Sequence, residues 1–60
     1  MYRAAYDFKA TNENALDFKE NDLFTVLDST RDQYWWLVQN GKGQVGFVPA
    51  NYLKKNEVPL

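Results

Sequence analysis

Trp35 and Trp36 stand side by side in a run of strand-forming residues, Tyr34-Trp35-Trp36-Leu37-Val38. Successive side chains on a strand point to opposite faces, so the two indoles cannot share one side. If Trp36 turns inward with Val38, Trp35 turns outward with Leu37. A domain of this size, 60 residues, buries only about 60% of the surface its unfolded chain exposes. An outward Trp is then a large apolar group that the core does not use, and it marks a face with a task beyond packing.

The remaining chain alternates in the same way. Leu16 and Phe18 alternate with Ala15 and Asp17, and Phe24 and Val26 with Leu23, Thr25 and Leu27. This period of two predicts strands with Leu16, Phe18, Phe24 and Val26 inward. Expected strands are Met1–Asp7, Leu23–Leu27, Tyr34–Gln39, Gly43–Val48 and Leu53–Lys55, with a long hairpin over 8–20 whose arms are Phe8 and Leu16-Asp17-Phe18. Glu20-Asn21-Asp22 reads as a turn, since Asn tolerates a left-handed backbone. Asn40-Gly41 supplies positive φ for a tight hairpin, and Pro49, lacking an amide donor, ends its strand. Ala50-Asn51-Tyr52 is long enough only for a single 3₁₀ turn. No segment carries apolar residues at sustained helical spacing. The expected fold is all-β, with two small antiparallel sheets packed or closed into a barrel and that turn before the last strand. Its inner residues are Ala4, Leu16, Phe18, Phe24, Val26, part of Trp36, Val38, Val48 and Leu53.

With no Cys and no His in the chain, neither disulfides nor thiolate or imidazole metal sites can staple the fold. The same lack leaves little for catalysis. Ser29 has no base at motif spacing, an Asp7–Asp17 acid pair has no second layer to form a cleft, and Asp28 with Asp32 is short of a calcium site's ligand count. No enzyme activity, cofactor or metal is expected. Net charge is −1, from seven Lys and Arg against eight Asp and Glu. That balance argues against general affinity for nucleic acid or anionic membrane. Lys42, Lys54 and Lys55 are scattered and form no basic stripe. With no apolar run of membrane length and no export signal, a cytoplasmic setting is the default expectation.

Several segments together resemble the SH3 domains over about residues 2–56. Ala4-Ala5-Tyr6-Asp7-Phe8 resembles the family's ALYDY segment, and Leu16-Asp17-Phe18 its L-S-F strand. Trp35-Trp36 matches its WW pair, and Gly46-Phe47-Val48-Pro49-Ala50-Asn51-Tyr52-Leu53 its G-Y-I-P-S-N-Y-V signature. Each match is weak alone, but together, in order, across nearly the whole chain, they are specific. The resemblance implies a domain at 1–56 with 57–60 as tail or linker start. It implies a five-stranded barrel with RT, n-Src and distal loops near 9–19, 28–34 and 40–43. The implied activity is non-catalytic: binding of proline-rich, PxxP-type peptides in the polyproline II form by a monomeric module of a signalling, endocytic or cytoskeletal adaptor. An alternative within the family is binding of ubiquitin or another folded surface by the same face. The Met1-Tyr2-Arg3-Ala4 opening is similar to that of SH3-initiated regulators of actin assembly, which makes a cytoskeletal parent a narrower expectation.

By that resemblance the ligand face is Tyr6, Phe8, Trp35, Pro49, Asn51 and Tyr52. Flat aromatic walls suit the ridges of a polyproline helix and lose little rotamer entropy, while Tyr and Trp edges can donate to its carbonyls. Phe8 lacks the hydroxyl usual at its position and can wall a slot without donating. Specificity is expected from Glu13, Ala15, Asp17 and Asp32, with Asp28 nearby. Members of the family that select arginine carry Asp or Glu where this chain has Ala15. The guanidinium then loses its bidentate partner, so arginine preference should be weakened or relocated, with an apolar or aromatic ligand residue near Ala15. For stability, replacing Phe18 or Phe24 by Ala should cost about 3–5 kcal/mol, measurable by urea unfolding; a loss below about 1 kcal/mol would place that ring outside the core.

Overall fold

The structure, a computed structural model, describes residues 1–56; the expected tail at 57–60 lies outside the described residues. The strands are β1 (Tyr2–Ala4), β2 (Leu23–Asp28), β3 (Trp35–Asn40), β4 (Val45–Pro49) and β5 (Leu53–Lys55), with one 3₁₀ turn at Ala50–Tyr52. They hydrogen-bond as one continuous sheet in the order β4-β3-β2-β1-β5, and every neighbouring pair is antiparallel. Phe24, in the central strand, pairs with Tyr2 on one side and Asn40 on the other.

Alternation decides what each strand buries. Phe24 is buried between exposed Leu23 and Thr25. Val38 is buried and Trp36 half-buried, while Trp35 faces out. Gly46 and Val48 are buried, while Val45 is exposed. The core is Ala4, Phe18, Phe24, Val38 and Val48, with Phe8, Leu16, Val26, Trp36, Tyr52 and Leu53 packed against it. Every residue expected inside is therefore in this cluster, joined by Phe8 and Tyr52. Phe18 meets Phe24 edge-on at 5.3 Å.

Several boundaries differ from expectation. β1 spans Tyr2–Ala4 rather than Met1–Asp7: Ala5 N–H still makes the in-register bond to the Tyr52 carbonyl at 2.7 Å, and the pairing stops at the bend over Ala5 and Tyr6. The chain then bends, and Phe8 rejoins the fold through an isolated antiparallel bridge to Phe18, each donating to the other's carbonyl at 2.8 and 2.9 Å. β2 runs one residue further, to Asp28, with a bulge after Val26. β3 is displaced by one residue, spanning Trp35–Asn40. Asn21 takes the expected left-handed backbone, φ 75°, and its N–H donates to the Ala4 carbonyl.

At the β3–β4 turn the left-handed residue is Gly43, φ 85°, and not the Asn40-Gly41 pair. Gly43 N–H donates to the Asn40 carbonyl at 3.1 Å, and Asn40 N–H to the Gln44 carbonyl at 2.9 Å. This is the longer hairpin loop, a β-turn followed by a left-handed glycine. Asn40 Oδ1 accepts from the amides of Lys42 and Gln44, which holds the turn from inside. Gly43 and Gln44 thus belong to the loop, and β4 starts at Val45. Pro49 is not excluded from the strand. It pairs with Trp35 as the last residue of β4, an edge strand, where a missing donor is tolerated.

Gly46 is needed for a different reason. The long loop lies on β4 here: Phe47 N–H donates to the Asn14 carbonyl at 2.8 Å and Leu16 N–H to the Phe47 carbonyl at 3.1 Å. A Cβ on Gly46 would sit 2.7 Å from Leu16 Cγ and 3.1 Å from the Asn14 carbonyl oxygen. Gly46→Ala should therefore destabilise the domain by about 1–3 kcal/mol, read as a lowered midpoint in urea or thermal unfolding. An unchanged midpoint would mean that Leu16 yields without loss of packing.

Candidate functional site

Four rings from separate parts of the chain form one aromatic strip. Tyr6 meets Tyr52 at 5.5 Å, Tyr52 meets Phe8 at 5.5 Å, and Phe8 meets Trp35 at 6.2 Å, all near edge-on. Tyr6 and Phe8 come from the bent segment after β1, Tyr52 from the 3₁₀ turn, and Trp35 from the start of β3. Three of the four are anchored by backbone. Phe8 is fixed to Phe18, Tyr52 receives the Ala5 amide, and Ala50 N–H donates to the Tyr34 carbonyl at 2.8 Å. Trp35 is held opposite Pro49. Tyr6 is 57% exposed and Trp35 38%, while Phe8 and Tyr52 are half-buried. The strip is the surface edge of the core, because Phe8 stacks on Phe18 at 5.3 Å.

The six residues expected on the ligand face thus lie in three situations. Tyr6, Phe8, Trp35 and Tyr52 make the strip. Asn51 is exposed in the turn between Tyr52 and Pro49, and Pro49 is buried. Among the described residues no hydrogen bond engages the Tyr6 or Tyr52 hydroxyl, the Trp35 indole N–H or the Asn51 amide. These polar edges face solvent unspent.

Beside Trp35 lies a concavity of about 430 Å³ between the long loop and the 28–34 loop. Asn12, Asn14 and Ala15 line one side, Arg31 and Asp32 the other, and Trp35 and Phe47 the sheet. Ala15 and Phe47, both in its lining, are joined by an isolated parallel bridge. Of the expected specificity residues, Ala15 and Asp32 reach this slot. Glu13 is exposed outside it, and Asp17 lines a second concavity with Phe8, Lys9 and Lys42.

The acidic residues are largely committed locally. Asp17 Oδ1 accepts the Ala10 amide at 2.6 Å, and Asp32 Oδ1 accepts the Tyr34 amide at 2.7 Å. Asp28 Oδ1 takes both the amide and the hydroxyl of Thr30, at 2.9 and 2.8 Å, and its Oδ2 meets Arg31 Nε at 3.2 Å. The Thr30 amide and hydroxyl, more than the Arg31 charge, hold the Asp28 carboxyl below its ordinary value. Arg31 and Phe47 were not singled out from the sequence. Phe47 was legible by alternation, lying between inward Gly46 and Val48, and Arg31 by its three-residue spacing from Asp28.

Comparison with known proteins agrees with this geometry. The family model for variant SH3 domains matches residues 4–54, and the chain belongs to the SH3 domain family. It is 40% identical over 57 residues to the SH2/SH3 adapter protein dreadlocks of Drosophila melanogaster, covering 95% of this chain and 10% of that protein. The chain therefore spans about a tenth of that relative's length. As an SH3 domain it is a protein–protein interaction module.

Asp28 offers a check on the 28–34 loop. Its NMR-detected carboxyl titration should have a midpoint below the ordinary 3.8, and Thr30→Ala should raise it. A lowered carboxyl favours the fold above its unfolded value, and that contribution is lost as pH falls through the lowered midpoint. A midpoint unchanged by Thr30→Ala would mean that the Thr30 hydroxyl adds nothing to the hold of the residue-30 amide, which the substitution keeps.

Proposed function

We propose that this domain binds proline-rich peptides in the polyproline II conformation along the Tyr6–Tyr52–Phe8–Trp35 strip, without catalysis. The observation that carries the reading is that strip: contiguous, partly exposed rings in a chain with little apolar area to spare. A polyproline helix brings flat rings and carbonyls that it does not bond internally. The strip offers apolar walls, with the hydroxyls of Tyr6 and Tyr52 and the Trp35 N–H as donors. Pro49, the cross-strand partner of Trp35, stands beside it along the groove, and Asn51 adds an amide at one end. The ligand arrives stiff, which limits the ordering cost. Contact area is small, so affinity is micromolar, about −8 kcal/mol or weaker.

Arginine beside the proline core is not required. Ala15 stands where a carboxylate would receive it, and the nearby acids are engaged with backbone amides, Thr30 or Arg31. The domain acts as a monomer and uses no cofactor. Its partners are proline-rich segments of other proteins, not nucleic acid or membrane lipid. The parent is a cytoplasmic adaptor in signalling or cytoskeletal control; the signalling part follows the adapter relative, and the cytoskeletal part rests on the Met1–Ala4 resemblance alone.

A proline-rich peptide library screened against wild type and Trp35→Ala tests this. Trp35 is a central aromatic contact, so its loss should cost about 2 kcal/mol or more of binding, with the β circular dichroism spectrum retained. Unchanged binding by a folded Trp35→Ala variant would move the site elsewhere, and binding of ubiquitin in place of every peptide would favour the folded-surface alternative.

A further inference from the structure

Asn40-Gly41 carries a turn signal that the β3–β4 loop leaves unused, since its left-handed residue is Gly43. The pair has a second chemical property. The backbone nitrogen of a glycine can attack the side-chain amide carbon of an asparagine before it, and glycine has no side chain to crowd the ring that forms. Gly41 is exposed, and a Cβ built on it would meet no atom within 4 Å. Its N–H has no acceptor among the described residues. We infer that Asn40 is a site of spontaneous modification, converting to aspartate and isoaspartate by closure on Gly41, and that the hairpin gates the reaction.

The chemistry needs only the chain and water. A bond forms between the Gly41 nitrogen and Asn40 Cγ, the Cγ–Nδ2 bond breaks, and ammonia leaves with the proton given up by the Gly41 amide. Water then opens the five-membered imide. Opening at Cγ leaves aspartate. Opening at the main-chain carbonyl carbon leaves isoaspartate, whose backbone runs through the side-chain carbons.

The fold opposes closure. Asn40 Oδ1 accepts the Lys42 and Gln44 amides, both at 2.9 Å, and Nδ2 donates to Gln44 Oε1 at 2.9 Å. The main chain is held as well, because Asn40 N–H donates to the Gln44 carbonyl and the Asn40 carbonyl accepts from Gly43. Closure swings the carboxamide onto the Gly41 nitrogen and turns the Asn40 backbone out of its strand, so these bonds must open first. Conversion therefore follows local opening of the hairpin. The two products differ in fit. Aspartate keeps the main chain, its carboxylate accepts the same two amides, and the Gln44 side-chain amide turns to donate where it accepted. Isoaspartate adds a carbon to the main chain and removes the spacing that both main-chain bonds of the turn require. Trp35 begins the same strand, so isoaspartate loosens the hairpin that carries it.

The test incubates the wild-type chain at mildly alkaline pH, folded in buffer and unfolded in guanidinium chloride. The peptide containing residue 40 is followed by mass and by separation of its two acid forms. Unfolded chain should convert about tenfold faster than folded chain, or more. Gly41→Ala, for which the structure has room, should nearly stop conversion in the unfolded chain. Gln44→Ala, which frees Nδ2, should raise the folded rate about threefold. In urea unfolding, Asn40→Asp should stay near the wild-type midpoint, and the isolated isoaspartate form should fall below it. Absence of acid at residue 40 in the unfolded chain, or equal conversion in Gly41→Ala, overturns the site. Equal rates in folded and unfolded chain, or an unchanged rate in Gln44→Ala, overturn the gate. An isoaspartate form as stable as wild type overturns the effect on the hairpin.

Discussion

Two hydrogen bonds between Asn14–Leu16 and Phe47 fasten the long loop onto β4, and much of the domain depends on them. They need close backbone approach, which Gly46 permits by having no side chain where Leu16 and the Asn14 carbonyl lie. The fastened loop sends Leu16 and Phe18 into the core. It also holds Ala15 over the sheet beside Trp35, so one contact both closes the core and forms one side of the proposed ligand face. A chain without cysteine or histidine has few other means of holding a loop of this length in place.

The same economy governs the aromatic residues. A continuous series of rings runs from Phe24 through Phe18 and Phe8 to Trp35 and Tyr52. Its inner end is buried and its outer end is half-exposed. The surface rings are therefore seated on the core itself, with backbone bonds at Phe8, Ala5 and Ala50 fixing their spacing. As the proposed binding face, a strip built in this way is ordered before a ligand arrives, which reduces the entropy lost on association.

Much of this was legible in the sequence because its physics is local and periodic. Alternation alone placed Phe24, Val38 and Val48 inside and Trp35 outside, and Asn21 was recognisable as a left-handed turn residue. What escaped depends on bonds between distant segments. The end of β1 is set by the bend at Ala5 and Tyr6 that carries Phe8 onto Phe18. Asn40-Gly41 carries a strong two-residue turn signal, yet the loop closes one step later, at Gly43, where Asn40's side chain can also accept two amides. The expected acidic cluster beside Ala15 is divided because Asp17 and Asp32 each turn to a nearby amide and Asp28 is held by Thr30 and Arg31. Counting charges along the loops could not reveal those commitments, nor that Arg31 would stand inside the slot.

The central claim is that the exposed edge of the aromatic series is the surface a proline-rich chain meets. An amide and indole ¹H–¹⁵N map of the labelled domain, recorded during titration with a polyproline II peptide, tests it most directly. The expected result is shifts concentrated at Tyr6, Phe8, Asn51, Tyr52 and the Trp35 indole N–H, with the Trp36 indole and the Asn40–Gln44 turn little changed. Shifts confined to that turn or to β5, with the Trp35 indole unmoved at saturation, would contradict it.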